Sequence, residues 1–104
     1  MVIANAICIE SADVEIVKEN DAYLKLYKSV SVPFNEMERI VTLLHTRGET
    51  ELYAFISSIA RSDYDFYLQR RYVFALMNKG EIEFDVFSPI DERTTIWTNS
   101  SEVI

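Results

Sequence analysis

The sequence predicts an α+β protein, and three observations carry that expectation. Apolar runs near both ends alternate with polar residues at period two, apolar residues in the middle recur at helical spacing, and glycine or proline marks the borders between them. In chain order the elements read as three strands, two helices and three strands. The expected architecture is therefore antiparallel β-meanders flanking a central helical hairpin, βββααβββ, with the helices packed on one side of the sheet. At 104 residues the chain has room for one core, so residues 1–104 are expected to form a single domain.

The first strand is expected over residues 2–9, "VIANAICI", a short and almost wholly apolar run of the kind that fills a buried strand. "DVEIV" and "AYLKLYKSVSV" follow, separated by "KEND". Asn20 and Asp21 are turn-forming residues, so the two runs read as a hairpin closed by Pro33. From Asn35 the period changes. Asn35 with Glu38 resembles a helix cap, and Met37, Ile40, Val41 and Leu44 follow at i, i+3, i+4 and i+7 until Gly48 ends the run. A second helix is expected from Thr50, with Leu52, Phe55, Ile56 and Ile59 on one stripe. The short "TRGE" connection makes the two helices antiparallel neighbours.

Residues 62–79 admit two readings. The density of aromatic side chains in "FYLQRRYVFALM" favours a strand over residues 66–77, joined by an "NKG" hairpin loop to the alternating "EIEFDVF", with Gly80 left-handed. That strand would place Phe66, Leu68, Tyr72, Phe74 and Leu76 on one face, interrupted by Arg70. The alternative is a helix, because "SDYD" fits a capping box and Gly80 a helix C-cap. A last strand, "TTIWT", carries Trp97, expected to be a core lid on an edge strand.

Hydrophobic residues make up 49% of the chain, including six Phe, six Tyr and one Trp, with only two Gly and two Pro. Such a composition folds without staples and argues against disorder. One cysteine precludes an internal disulfide. The first ten residues lack the basic region and cleavage site of a secretory signal, and no apolar run reaches bilayer length. A cytoplasmic location is expected, which leaves the Asn99-Ser100-Ser101 sequon without a role.

The net charge is −7, and its sign disfavours direct contact with nucleic acid or anionic membrane, both of which select Lys and Arg. The acidity is concentrated. Residues 10–21 hold five acids against Lys18, and residues 81–92 hold five acids and no base, whereas residues 22–80 hold eight bases against six acids.

No catalytic or cofactor signature is present. His45 is expected at a helix end, outside any nucleophile motif. Cys8 is expected to be a small buried hydrophobe. One Cys and one His cannot complete a structural zinc site, and two glycines cannot build a phosphate-cradling loop. No cofactor and no metal are expected.

Glu81, Glu83 and Asp85 alternate with Ile82, Phe84 and Val86, so a strand would turn all three acids outward as an uncompensated row. Arg70 and Arg71 lie among Tyr64, Phe66, Tyr67 and Tyr72, a content typical of interface hot spots. The expected function is a non-enzymatic acidic protein-binding module, such as an inhibitor or immunity-type protein that occupies a basic nucleic-acid-binding surface of its target. Its partner-binding residues would be Glu81, Glu83, Asp85, Arg70, Arg71 and Tyr67, and its partner another protein. Two alternatives remain open: an assembly subunit that self-associates through strand edges and aromatics, and a small enzyme using His45 and carboxylates.

Overall fold

The computed structural model describes the backbone of residues 2–98 and the side chains of residues 13–98. The protein is α+β, but its order differs from the expected one. It runs α1 (Val2–Lys25), α2 (Phe34–Arg47), β1 (Thr50–Glu51), α3 (Leu52–Ile59), α4 (Asp63–Lys79), β2 (Glu83–Phe84) and β3 (Thr95–Trp97). The strands form an antiparallel sheet in the order β1-β3-β2, with Thr50 opposite Ile96 and Phe84 also opposite Ile96. Strands of two or three residues cannot form a layer, so the core lies among the helices. Phe55, Phe74, Ile40, Leu44 and Ile56 are fully buried there, with Ile82 and Ile96 reaching in from the sheet side.

The expected first strand, the first arm of the hairpin and its turn are instead one helix, which ends at Lys25, and the rest of the expected second arm, residues 26–32, is a turn followed by irregular chain. No Gly or Pro interrupts residues 2–25, so nothing in that stretch forces a break. Asp13, Ile16, Val17, Asn20, Tyr23 and Leu24 are the buried or half-buried positions of the described part of α1, a helical spacing. Asn20 and Asp21, read above as turn residues, lie within the helix. The Asp21 carboxylate accepts from Lys25 Nζ at 3.0 Å, one turn on. The Cys8 side chain, whose burial was expected in a strand, and the Asn99 sequon lie outside the described residues.

α2 and α3 form, with corrections: α3 begins at Leu52 rather than Thr50, because Thr50 and Glu51 pair with β3 as β1, the two helices pack chiefly against α4 rather than as the expected hairpin, and the start of α2 differs. Asn35 does not cap; the helix begins at Phe34 behind Pro33, and no side chain caps it. Gly48 closes it with φ 81°, donating its N–H to the Leu44 carbonyl at 2.9 Å. Leu52, Phe55, Ile56 and Ile59 form the buried stripe of α3.

Residues 66–77 are helical, not a strand, and do not pair with residues 81–88. Both ends of α4 are encoded. Ser62 is extended and its Oγ accepts from the Asp65 N–H at 3.1 Å, while Asp63 and Asp65 complement the helix dipole in the first turn. At the other end Gly80 is left-handed, and the Glu81 N–H donates to the Leu76 carbonyl at 3.0 Å. The buried residues begin as a helical stripe, Asp65, Gln69, Val73 and Leu76, and from Val73 to Met77 the helix is buried all round. Two caps and this stripe outweigh the aromatic content that favoured a strand.

The alternating stretch after Gly80 is a strand only at Glu83–Phe84. Burial falls steadily along its apolar row, from Ile82 in the core through half-buried Phe84 to Val86, which is 40% exposed. The chain therefore peels away from the core and cannot sustain the expected strand. β3, read as an edge, is the central strand, and Trp97 on it is half-buried. Among the described residues no helix is long and apolar enough to cross a membrane.

One buried polar group ties the halves together. The Asn20 amide donates to the carbonyls of Val86 at 3.1 Å and Ser88 at 2.9 Å, and its Oδ1 accepts from the Ile90 N–H at 3.2 Å. Asn20→Ala would strand these backbone groups without opening a large cavity. We expect a loss of about 2–3 kcal/mol in urea unfolding, with faster amide exchange at Ile90 while α2 and α3 keep their protection.

Candidate functional site

The Asn20 contacts bring the two acidic segments of the chain together. α1 carries Asp13, Glu15, Glu19 and Asp21, and the segment it holds carries Asp85, Asp91 and Glu92, with Glu81 and Glu83 just before it. A charge distribution split between the two ends of the sequence thus becomes one acidic region. Among the described residues, the only ion pair within it is Asp21 with Lys25.

Two cavities open within this region. One, about 170 Å³, is lined by Val17, Asn20, Asp21 and Leu24 of α1 with Met77, Phe84 and Val86. The other, about 260 Å³, is lined by Gly80, Ile82 and Glu83 with the same Met77, Phe84 and Val86. The two share one wall of three apolar side chains, and carboxylates stand at their margins. Phe87, next to Val86, is 56% exposed.

The six residues expected to bind a partner are divided by the fold. Glu81 is exposed and Glu83 half-buried, both beside the second cavity. Asp85 is exposed but engaged: its Oδ1 accepts from the Phe87 N–H at 3.0 Å and its Oδ2 from Ser88 Oγ at 2.9 Å. It builds a turn and so is not a free member of an acidic row.

Arg70 and Arg71, adjacent in sequence, diverge around the helix. Arg70 is half-buried, donating from Nε to the Tyr53 hydroxyl at 2.9 Å and from Nη2 to the Tyr23 hydroxyl at 3.3 Å, with its guanidinium 4.9 Å from the centre of the Phe74 ring. Burial works against its charge, but the Tyr53 hydroxyl and the surrounding tyrosines outweigh burial and hold its pKa above the usual value. The Tyr23 phenol is pushed up by burial and by its neighbour Tyr27. Arg70 therefore joins α1, α3 and α4 from within. Arg71 is exposed, and so is Tyr67, its ring edge-on to Phe66 at 5.4 Å. Tyr67 lies ten residues before Met77, the first α4 residue lining the acidic cavities, about 15 Å along the helix axis. Neither Arg71 nor Tyr67 lines the acidic cavities.

Sequence reasoning missed Asn20, Met77 and Val86 as parts of the acidic site. The available signal was Asn20 itself, a polar residue in register with Ile16, Val17 and Leu24 once the segment is read as a helix.

At the opposite end of α4 lies a polar cluster beside a cavity of about 430 Å³. Asp65 accepts from the Arg61 N–H at 2.8 Å and from Gln69 Nε2 at 3.3 Å, and Glu36 joins Arg39 and Arg61, each at 3.3 Å. Arg39 in turn donates to the Ile59 carbonyl at 2.6 Å. These groups largely satisfy one another and join α2, α3 and α4. His45 is exposed in the last turn of α2, and no described side chain donates to it or accepts from it within hydrogen-bond distance.

No protein-family model matches the chain, and no curated protein or solved structure is detectably similar to it. Function therefore has to be argued from these surfaces.

The Asp65 pKa is held below the ordinary range, first by the Arg61 N–H and then by Gln69 and Arg61, against the opposing effect of burial. A depressed carboxyl pKa adds stability that is complete above the unfolded value, about 3.9, and is lost as pH falls through the lower folded value. Asp65→Asn should be destabilised at neutral pH and should lose less further stability than the native protein on acidification below about pH 4. Urea midpoints measured across that range would check this.

Proposed function

We propose that this protein is a non-enzymatic binding module whose acidic region engages a basic surface of another protein, as an inhibitor or immunity-type protein covering a nucleic-acid-binding site does. The observation that carries this reading is the union of the two acidic segments at Asn20. A fixed cluster of carboxylates competes for the Lys and Arg side chains that neutralise phosphates, and its field accelerates the encounter. The same field repels nucleic acid and anionic lipid, which makes a cationic protein the partner. Solution in a reducing compartment such as the cytoplasm suits a chain with a single cysteine.

A second reading has one observation in its favour. Tyr64 is 85% and Tyr67 66% exposed on α4, next to Arg71. Aromatic and arginine side chains presented on one rigid helix suit self-association. Light scattering decides between the two: a monomer at working concentration is expected for binding in trans, and a stable dimer lost in Tyr64→Ala/Tyr67→Ala would establish assembly instead.

Charge reversal tests the main reading. Glu15→Lys/Glu19→Lys and Glu81→Lys/Glu83→Lys each alter one acidic segment and spare Asp85, whose carboxylate the turn needs. Partners captured by the native protein from its own cell should be basic proteins, and purified partner should associate with either variant at least about tenfold more slowly at low salt. Association at an unchanged rate by variants with native circular dichroism would overturn the proposal.

A further inference from the structure

The acidic region contains more than charge. The cavities of about 170 and 260 Å³ each fall below the roughly 300–1,000 Å³ of a typical small-molecule site. Each is of a size for one bulky side chain, and they are separated only by the shared wall of Met77, Phe84 and Val86. Two adjoining wells of this size fit two anchors on one chain better than one rigid ligand. Their lining is mainly apolar, with Asn20, Asp21 and Asn78 the polar residues of the first well and Glu83 that of the second, and Met77 at the wall is an unbranched side chain that adapts to differently shaped occupants.

The margins are acidic. Asp21 borders the first well and Glu83 the second, with Glu81 exposed beside it. The bases nearby are Lys18, exposed on α1 beside Val17, Lys25, already paired with Asp21, and Lys79, the exposed last residue of α4; with Glu19, Asp21, Glu81, Glu83 and Asp85 the acids still outnumber them. An anionic lipid surface or an acidic peptide would meet these carboxylates unfavourably, and a neutral peptide would gain nothing from them. Charge complementarity selects a cationic one.

We infer that the paired wells bind a cationic amphipathic peptide segment of the partner protein, two bulky apolar side chains entering the wells while flanking Lys or Arg residues meet Asp21, Glu81 and Glu83. The inference rests on the acidic-surface reading for its charge component and adds an apolar one. Binding then has two separable parts. The carboxylates set the encounter and its salt dependence, and the wells set which basic segment is retained.

The test uses the full chain, isotopically labelled, and three synthetic peptides of about 15 residues, long enough to form a helix on binding. The first carries two Leu side chains one helical turn apart flanked by Lys, the second replaces both Leu by Ala, and the third keeps both Leu but replaces Lys by Gln. Titration with the first peptide should shift the Met77 methyl and the Phe84 and Val86 resonances, while those of Tyr64 and Tyr67 stay in place. The Ala and Gln peptides should each bind at least about tenfold more weakly. Val86→Ser, at an exposed position where the fold should tolerate it, should weaken the first peptide about fivefold through lost apolar burial. Glu83→Gln should weaken it by a similar factor and flatten its salt dependence.

Equal binding of the Leu and Ala peptides, unaffected by Val86→Ser, would overturn the paired wells and leave the acidic-surface reading standing. Equal binding of the Leu and Gln peptides would overturn the charge selection and count against that reading too. If no peptide shifts Met77, Phe84 or Val86, the inference fails. The charge-reversal experiment with the native partner then judges the acidic surface independently.

Discussion

The side-chain amide of Asn20 is the constraint on which much of the surface depends, because among the described residues it alone ties α1 by hydrogen bonds to a segment that has no strand pairing. The chain beyond Asp85 leaves the sheet, and its backbone groups at Val86, Ser88 and Ile90 would face an apolar helix if α1 carried a hydrophobic residue at position 20. A carboxamide has both donors and an acceptor, so one residue can satisfy two carbonyls and an N–H. The benefit is of the order of two or three ordinary hydrogen bonds, because Val86 and Ser88 are exposed and their carbonyls are also within reach of water. Val86 forms a wall of both wells only because this segment lies where Asn20 holds it.

α4 is the second constraint, and its two ends differ in chemistry. Its N-terminal end is a polar junction in which Asp65 binds the preceding backbone and Gln69, and Glu36 reaches across from α2. Between the ends Arg70 bridges the Tyr53 and Tyr23 hydroxyls over the Phe74 ring, so that one guanidinium holds three helices in register. The C-terminal end is apolar, and Met77, displayed just before the left-handed turn at Gly80, supplies the floor shared by both wells. The C-terminal helix cap and the wall of the two wells therefore adjoin, with Met77 before the cap and Gly80 lining the second well.

This arrangement explains which parts of the structure were legible in the sequence. α2 and α3 were, because a stripe such as Leu52, Phe55, Ile56 and Ile59 is unambiguous when a glycine at position 48 separates it from the previous one. β3 was also legible, although its central place was not, since pairing depends on partners remote in sequence. α1 was not, because a buried Asn in an apolar helical stripe looks locally like a turn, and only the distant 86–90 segment makes it favourable. α4 was misread where aromatic density was set above caps. Ser62 and Gly80, both visible in the sequence, were the stronger signals. Within the site, the exposure of Glu81 and Glu83 could be read from alternation, but the engagement of Asp85 could not, because it depends on the chain turning at Phe87 and Ser88. The joining of the two acidic segments was beyond sequence reasoning, being a consequence of the Asn20 contacts.

An acidic surface alone is a poor discriminator, since exposed charges are screened within about 10 Å at ordinary salt and attract any cation. A purely apolar well is equally poor, because it accepts any hydrophobe that reaches it. Combined, each corrects the other's weakness. The carboxylates raise the local concentration of basic segments and exclude acidic ones, and among those that arrive only a segment with two suitably placed apolar side chains displaces water from both wells. On the proposed reading the encounter is fast and salt-dependent, whereas retention is set by packing against Met77, Phe84 and Val86. A net charge of −7 by itself suits solubility as well as binding. The apolar wells within the acidic region are what solubility does not call for, and they are the physical reason to read this surface as one that selects a partner.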